Sequence, residues 1–210
     1  ILNGDEGDDT LLGGAGADTI NAAEGDNIGL GDNGQLTIDS ASGHLVSAAS
    51  IATDIGGTDT ITSGGGNDLL FGGAGNDTLE AGSGNNTILG DNGRAVFNLD
   101  GDVSTVDLVE TIAPEDGGGR DTITGGNGNN VVIGGLGTDA ITFADGVNTI
   151  LGDNGRAEFV EGLVTAVTSI DVGLGGDDTI AVQAGHNVLV GGFGSDSLSA
   201  ASGANVVFGD

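Results

Sequence analysis

The sequence predicts an all-β repeat fold with inserted β-hairpins. Nine-residue units recur along a chain of 210 residues that contains 45 Gly. Each unit places an aliphatic residue near its end, where strand-forming residues gather. Three longer segments interrupt the units at intervals of about 60 residues. Periods of this kind are typical of solenoids, in which each repeat buries its apolar face against its neighbours.

The basic unit is clearest from Gly72 to Glu80, which reads GGAGNDTLE and has the form G-G-x-G-x-D-x-U-x, where U is aliphatic. The same frame continues on both sides, with SGGGNDLLF before it and AGSGNNTIL after it. It also covers Gly4 to Leu30, Gly125 to Leu151 and Val182 to Phe208. Tandem copies in one frame are a specific signal, whereas a single copy is a weak one.

A longer period is marked by the tetrapeptide Gly-Asp-Asn-Gly, which begins at Gly31, Gly90 and Gly152. In each case the G-x-x-G half of a unit is followed by an insertion. The second half of the unit resumes at Thr58, Arg120 and Asp177.

Each insertion has two short runs of alternating apolar residues around a centre that contains Gly, which is typical of a β-hairpin. These centres are Gly43, Asp100-Gly101 and Gly162. We therefore expect a single array over residues 1–210, with hairpin insertions at approximately 35–55, 94–116 and 156–172.

The composition excludes several classes of protein. The chain has 32 Asp and Glu against 3 Lys and Arg, for a net charge of −29. A nucleic-acid partner is excluded because so few cations cannot neutralise phosphates. Cysteine is absent, which rules out disulfides and Cys zinc sites, and no apolar run is long enough for membrane insertion. A hydrophobic share of 37% at this charge indicates a missing counter-ion, for which divalent cations are the simplest choice.

The nonapeptides resemble the RTX, or haemolysin-type calcium-binding, repeats of secreted bacterial proteins. The resemblance covers the whole chain except the insertions. It implies a right-handed parallel β-roll, in which six residues form a turn, three form a short strand, and two units complete one coil. It also implies calcium ions between turns that are neighbours on the same edge of the roll.

The chemistry of the unit supports this implication. Ca²⁺ takes about 6–8 oxygen ligands, and a Gly-rich turn can aim carbonyl groups inward because Gly tolerates positive φ. One Asp per turn adds a carboxylate, and without the ion such stacked acids would destabilise one another. The expected carbonyl ligands are Gly14, Gly16, Gly73, Gly75, Gly135, Gly137, Gly192 and Gly194.

Alternate units would lie on opposite edges of the roll, so the sixth residue of each unit can be compared edge by edge. On what we call the first edge, this residue is always Asp: Asp18, Asp59, Asp77, Asp121, Asp139, Asp178 and Asp196. Neighbouring pairs in this row give up to six shared sites, so we expect about six Ca²⁺ there.

On the second edge the sixth residue is mostly Asn: Asp9, Asn27, Asp68, Asn86, Asn130, Asn148, Asn187 and Asn205. Asn pairs are poor calcium sites but can form a hydrogen-bonded ladder. The second edge should therefore be largely free of metal, with Asp9 and Asp68 as weaker candidate ligands.

The Gly-Asp-Asn-Gly tetrapeptides add three further candidates, Asp32, Asp91 and Asp153. They could ligate calcium, but Asp-Asn-Gly is equally a plain turn signal. Arg94 and Arg156 follow two of these turns. They could pair with the Asp of the same turn or form surface salt bridges of little energetic worth.

The strands predict what each sheet packs against. The eighth residue of a unit should face the core, and Gly29 should leave a local gap there. Residues seven and nine point outward; they are mainly polar or small on the first sheet and apolar on the second, as at Val131 and Ile133. The hairpins should cover this apolar face, and the alternative is self-association or another partner.

These patterns indicate a structural function. An ion that binds only the folded state stabilises it, so we expect the chain to fold on calcium binding. The resemblance implies type I secretion from a Gram-negative bacterium, and hence an extracellular or cell-surface location. We expect a spacer or stalk within an adhesin or surface-layer-like protein, flanked by neighbouring repeats of a larger parent chain.

Two other functions stay open. One is the folding and secretion region of an exported enzyme, and the other is a ligand- or ice-binding solenoid that displays rows of Thr hydroxyls. No Ser-His-Asp, Cys-His or paired-acid constellation stands out from the repeat. We therefore expect no intrinsic enzyme activity.

Overall fold

The computed structural model describes residues 1–97 and 105–209, and short strands are its main elements. The strands of these residues, in chain order, are β1 (Leu2–Asn3), β2 (Thr10–Leu12), β3 (Thr19–Ala23), β4 (Ile28–Leu30), β5 (Gly34–Ile38), β6 (Leu45–Ser50), β7 (Thr60–Ser63), β8 (Leu69–Phe71), β9 (Thr78–Ala81), β10 (Thr87–Leu89), β11 (Gly93–Val96), β12 (Leu108–Thr111), β13 (Thr122–Gly125), β14 (Val131–Ile133), β15 (Ala140–Phe143), β16 (Thr149–Leu151), β17 (Gly155–Val160), β18 (Leu163–Ser169), β19 (Thr179–Gly185), β20 (Val188–Val190), β21 (Ser197–Gly203) and β22 (Val206–Phe208). Within the described residues there is no helix that could span a membrane.

Strands from alternate nonapeptides enter two different parallel sheets. The first sheet has the order β1-β3-β7-β9-β13-β15-β19-β21, and the second has the order β2-β4-β8-β10-β14-β16-β20-β22. Equivalent residues of successive coils are paired, as Ile123 with Ile141 and Ile88 with Val132. Two units therefore complete one coil, and the predicted parallel β-roll is confirmed.

The core between the two sheets consists of the eighth residues of the units. Ile61, Ile123 and Ile141 from the first sheet and Ile88 and Val132 from the second are fully buried in it. The outward residues of the first sheet are polar or small, and Thr19, Thr122 and Thr179 are exposed.

The gap expected at Gly29 is absent, so that prediction is wrong. A Cβ atom built at Gly29 would lie 3.2 Å from the side chains of Ile61 and Leu70. Leu70, the neighbour of Gly29 within the second sheet, and Ile61, from the first sheet, already fill the space.

The three insertions form one continuous antiparallel sheet, which sequence reasoning did not predict. Its order is β18-β17-β12-β11-β6-β5. Each insertion contributes one hairpin pair, and the hairpins then join edge to edge through β6 with β11 and β12 with β17. The predicted hairpin centre Asp100-Gly101 lies outside the described residues.

The inner face of this third sheet packs on the apolar outer face of the second sheet. Ala48, Ala95 and Ala157 are fully buried there, in one cluster with Phe71 and Ile133. Small residues on the third sheet allow a close approach to the larger residues of the second. The prediction that the hairpins cover the second sheet is confirmed for this region, whereas Val206 and Phe208 of β22 remain about half exposed.

The hairpins leave the roll two residues earlier than the sequence frame predicts. That frame placed Gly93 at the fourth position of its turn, but Gly93 begins the hairpin strand β11. The structure gives the fourth position to Gly119, whose Cβ would overlap the carbonyl oxygen of Gly75 in the neighbouring coil. Gly57 and Gly176 take the same place in the other two interrupted turns. The Gly-Gly pairs at the end of each insertion were the signal for this position.

Candidate metal centre

The aspartates of the first edge form a single column along the roll. The backbone N–H of each donates to the Oδ1 atom of the Asp in the next coil. These bonds run from Asp18 to Asp59 at 2.7 Å through to Asp178 and Asp196 at 2.9 Å. The column arises because every turn of this edge places its sixth residue at the same point, one coil above the last.

The second carboxylate oxygen has no hydrogen-bond partner in six of these residues, although the atom is buried. The six residues are Asp59, Asp77, Asp121, Asp139, Asp178 and Asp196. A buried polar atom without a partner is rare in folded proteins, since each carries a desolvation penalty of about 1–3 kcal/mol or more when charged. The regular row of such atoms indicates a ligand that the protein atoms themselves do not supply.

Backbone carbonyl groups surround these oxygens. A Cβ atom built on Gly90 would collide with both Asp121 Oδ2 and the carbonyl oxygen of Gly134. A Cβ atom built on Gly134 would collide in the same way with the two equivalent atoms of the next coil. The first residue of each first-edge turn is therefore Gly, because a side chain would occupy the space where a carboxylate oxygen and a carbonyl oxygen converge.

The protein atoms leave this charge uncompensated. Burial raises the pKa of Asp77 to about 8, and the charges of Asp121 and Asp59 add to the effect. Burial and the charge of Asp121 raise the pKa of Asp139 to about 9. Burial raises the pKa of Asp121 to about 7. Burial, together with the charges of Asp153 and Asp196, raises the pKa of Asp178 to about 7. Without a cation, the column holds protons at neutral pH or bears strong repulsion.

The eight glycines expected to offer carbonyl ligands all have positive φ. The values lie between 94° at Gly14 and 138° at Gly194. This backbone conformation is accessible to Gly and strained for other residues. The turns therefore have the conformation on which the carbonyl assignment depends, while ligation itself stays a prediction.

Asp32, Asp91 and Asp153 lie buried beside the column and bind backbone N–H groups of neighbouring turns. Both carboxylate oxygens of Asp91 are used, since Gly119 and Leu136 donate to them. Asp153 accepts in the same way from Gly176 and Phe193.

Asp32 accepts from the equivalent turn positions. Ala74 donates to its Oδ2 at 2.6 Å, and the backbone N–H of Gly57 is a second partner of its carboxylate. These backbone bonds match the turn interpretation of all three residues.

The Asn side chains of the second edge are hydrogen-bonded to one another and to the backbone of their turns. The backbone N–H of each sixth residue again bonds to the side-chain oxygen of the next, as Asn86 does to Asn130 at 3.0 Å. The amide nitrogen of Asn130 also donates to Asn148 at 2.8 Å, and that of Asn27 donates to the carbonyl oxygen of Gly25 at 2.9 Å. The Asn side chain thus carries an internal donor that a carboxylate lacks.

The two acids of the second edge behave differently from each other. Asp68 is buried, its Oδ2 has no partner, and burial raises its pKa. Asp9 is partly exposed and accepts the N–H of Asp5 at 3.1 Å. Of these two weaker candidates, only Asp68 shares the unpaired buried oxygen of the first edge.

Two of the three Arg residues lie away from both edges, whereas Arg120 directly precedes Asp121 in a first-edge turn. Arg94 and Arg156 each pair with Glu110 on the third sheet, and Arg156 also pairs with Glu158. The suggested pairing with Asp91 and Asp153 is wrong, because the early exit of the hairpin carries both Arg residues out onto the third sheet. None of the ion pairs formed by the described residues reaches the first-edge aspartates.

The donor set of the first edge fits a hard cation. No group of three or more His, Asp or Glu side chains that could hold a metal is found in residues 1–97 and 105–209. A metal site on this edge would therefore combine few carboxylates with backbone carbonyls, which are oxygen ligands of the kind that calcium prefers. Soft metals that select sulfur or imidazole do not match this set.

A family comparison agrees with this chemistry. The pattern of the RTX calcium-binding nonapeptide repeat matches four stretches of the chain, residues 1–35, 55–94, 115–150 and 172–210. The unmatched stretches between them contain most of each hairpin of the third sheet. A search of the curated proteins found no match.

Proposed function

Because this chain belongs to the RTX calcium-binding nonapeptide repeat family, we propose that it is a structural array that folds when calcium binds along its first edge. Repeats of this family bind calcium and are typical of secreted proteins of Gram-negative bacteria. The observation that carries the proposal is the row of six buried, unpaired carboxylate oxygens beside glycine carbonyls.

The ion would act as the missing counter-charge of the column. Each bound Ca²⁺ would be coordinated by the Oδ2 atom of one coil and by carbonyl oxygens of the turns around it. This coordination would offset both the desolvation penalty of the carboxylate and the repulsion between neighbouring acids. One ion for each unpaired oxygen gives about six on the first edge. The seven Asp and eight Gly named above are the proposed ligands, and Asp68 is a secondary one.

The second edge would contribute little to metal binding. Its Asn side chains already donate to the oxygens that would otherwise need a cation. The asymmetry would make the first edge responsive to calcium, while the Asn residues of the second edge are held by hydrogen bonds that need no metal. Six of the eight sixth residues on this edge are neutral Asn, so the two edges carry nine of these acids rather than fifteen.

The response to calcium follows from linkage. Several sites that exist only in the folded state add their stabilisation, each giving about 2.7 kcal/mol when calcium is at 100 times Kd. A chain of net charge −29 would be destabilised where calcium is scarce, as in the cytosol, and stabilised outside the cell. We propose that this switch lets the chain leave the cell unfolded and form a rigid spacer or stalk afterwards.

The test is far-UV circular dichroism during a calcium titration of the EDTA-treated protein, with magnesium as the control ion. A cooperative gain of β-structure with calcium alone is the expected result. Counting the ions bound to the folded protein should give about six. A spectrum that is fully β in EDTA and unchanged by calcium would contradict the folding switch, and a count near twice six would contradict the one-edge assignment.

A further inference from the structure

An Asn-Gly pair stands at the base of each of the three hairpins. The pairs are Asn33-Gly34, Asn92-Gly93 and Asn154-Gly155, and each lies where the chain leaves the roll for the third sheet. Asn92 and Asn154 are buried, and Asn33 is half-buried. Two further Asn-Gly pairs begin at Asn3 and Asn127, whose side chains are exposed. The same dipeptide therefore occurs in two different environments.

The Asn side chain at each hairpin base holds the chain that returns from the hairpin. Its amide nitrogen donates to a backbone carbonyl oxygen of that returning chain. The three bonds are Asn33 to Ile55 at 3.3 Å, Asn92 to Asp116 at 3.1 Å and Asn154 to Leu174 at 3.3 Å. Asn92 also donates to Thr53 of the preceding super-repeat at 3.0 Å. An acceptor at this place would face carbonyl oxygens with no proton between them, so the position requires a donor.

The Gly that follows is required by packing. A Cβ atom on Gly93 would lie 2.4 Å from Leu89 Cδ2 of the second sheet, and the two equivalent glycines have the same contact with a Leu. Leu89 is fully buried and has little room to move. The backbone N–H of Gly93 donates to Ser50 Oγ at 3.1 Å, and that of Gly155 donates to Thr111 Oγ1 at 3.1 Å. The fold therefore requires Asn and Gly side by side at every hairpin base.

Asn followed by Gly is the dipeptide most prone to deamidation, because no side chain shields the backbone nitrogen of Gly. That nitrogen attacks Cγ of Asn, a C–N bond forms, and the amide group leaves as ammonia, which takes the proton of the Gly N–H. Water then opens the cyclic imide at either carbonyl and leaves Asp or isoaspartate. The folded hairpin base opposes the first step, because hydrogen bonds hold both the amide of Asn92 and the N–H of Gly93.

We propose that Asn33, Asn92 and Asn154 are deamidation sites that the folded roll protects and the unfolded chain exposes. Conversion at any of them would keep its hairpin from closing. Asp puts a charged acceptor where the carbonyl oxygens need a donor, and isoaspartate adds one atom to the main chain directly before the hairpin strand. A chain that stays unfolded would therefore lose its ability to build the third sheet. The chemistry needs only an unfolded chain, whereas its link to calcium rests on the proposed folding switch.

The experiment incubates the full chain at neutral pH in calcium, in EDTA, and in urea with EDTA. Circular dichroism reports whether the chain is folded, and peptide mapping by mass spectrometry measures amide loss at each Asn. Asn86 and Asn130 are internal controls, because the β-branched residues Thr87 and Val131 follow them and hinder the attacking nitrogen. The urea arm tests the chemistry whether or not folding depends on calcium.

We expect the three hairpin-base sites to deamidate at least about tenfold more slowly in calcium than in urea, because in the folded protein the reaction requires a rare opening. The two control Asn residues should keep their amides in every condition. Deamidation in urea with protection in EDTA would support the proposal while contradicting the folding switch. Equal rates in calcium and urea, or intact hairpin-base sites in urea, would overturn the proposal.

Two substitutions measure the consequence of the modification. Asn92→Asp creates one deamidation product directly, and in calcium it should lower the urea midpoint or prevent folding. Asn127→Asp is the matched control, since Asn127 is exposed and its Oδ1 accepts the N–H of Asp145 at 3.2 Å, as a carboxylate would. The control should keep the parent midpoint. An Asn92→Asp protein with the parent midpoint would overturn the assigned effect on the hairpin.

Discussion

Replacing one aspartate in the middle of the first-edge column should uncouple the roll from calcium. Asp121→Asn keeps an oxygen that can accept the N–H of Asp77, now at 2.8 Å, and it adds an amide donor like those of the second edge. It also removes a carboxylate from a fully buried position. The substitution should therefore stabilise the metal-free protein and weaken the two adjoining calcium sites.

The magnitude follows from the pKa of this residue. Burial raises it from 3.8 to about 7, which corresponds to about 4 kcal/mol at 1.36 kcal/mol per unit. The metal-free variant should be more stable by up to about this amount above pH 7. At calcium concentrations near 100 times Kd, loss of two sites removes up to about 5 kcal/mol of stabilisation.

The assay is urea unfolding monitored by circular dichroism, in EDTA and in millimolar calcium. The difference between the two unfolding free energies should shrink markedly for Asp121→Asn. Asp171→Asn is the matched control, since it removes the same charge from an exposed site and should change neither value by more than about 0.5 kcal/mol. An undiminished calcium effect in Asp121→Asn would refute the proposed role of the column.

Three further predictions concern the same framework. In EDTA, the free energy of unfolding should fall as pH rises from about 4 to 9. Burial raises the pKa of Asp77 to about 8 and that of Asp139 to about 9, so over this range the folded state holds protons that the unfolded chain has released. Urea midpoints that rise with pH would contradict this sign. Gly119→Ala should destabilise the calcium-loaded roll by about 1–3 kcal/mol or more, because the new Cβ would overlap the carbonyl oxygen of Gly75. Gly173→Ala is the control, because its Cβ would meet no atom within 4 Å and the change should be nearly neutral. Thermal unfolding measures both variants. Asn130→Asp should destabilise the metal-free form by at least about 1–3 kcal/mol, because it replaces the donor to Asn148 with a buried acceptor; an unchanged urea midpoint in EDTA would count against a closed second edge.

The repeat itself was predictable from sequence because each position in the unit has one physical task. Gly at the fourth position avoids a neighbouring carbonyl, and an aliphatic eighth residue such as Ile123 fills the core. These constraints recur in every coil, so a short pattern repeated many times specifies strand positions, sheet membership and the split between edges. The column of aspartates follows directly from the same frame.

Features that depend on contacts between distant repeats were not predictable in this way. The edge-to-edge pairing of β6 with β11 joins segments of different super-repeats, and nothing in either hairpin alone encodes it. Gly29 was misjudged because its space is filled by residues from other coils. The Gly-Gly pairs at the end of each insertion were a local signal for the early exit of the hairpins. The repeated Gly-Asp-Asn-Gly motif, however, suggested a different division of the turn.

The third sheet also has a mechanical consequence. In all three sheets the strands lie across the roll, so their hydrogen bonds point along its length. A pull on the two ends is therefore shared among three parallel sets of bonds at each boundary between super-repeats. Bending the roll would stretch the inter-strand hydrogen bonds of one sheet and compress those of another. Because packed sheets lie about 10 Å apart, even a small bend would change these hydrogen-bond lengths, and the sheets would resist it. We therefore expect the hairpins to make the roll stiffer against bending than its coils would be alone.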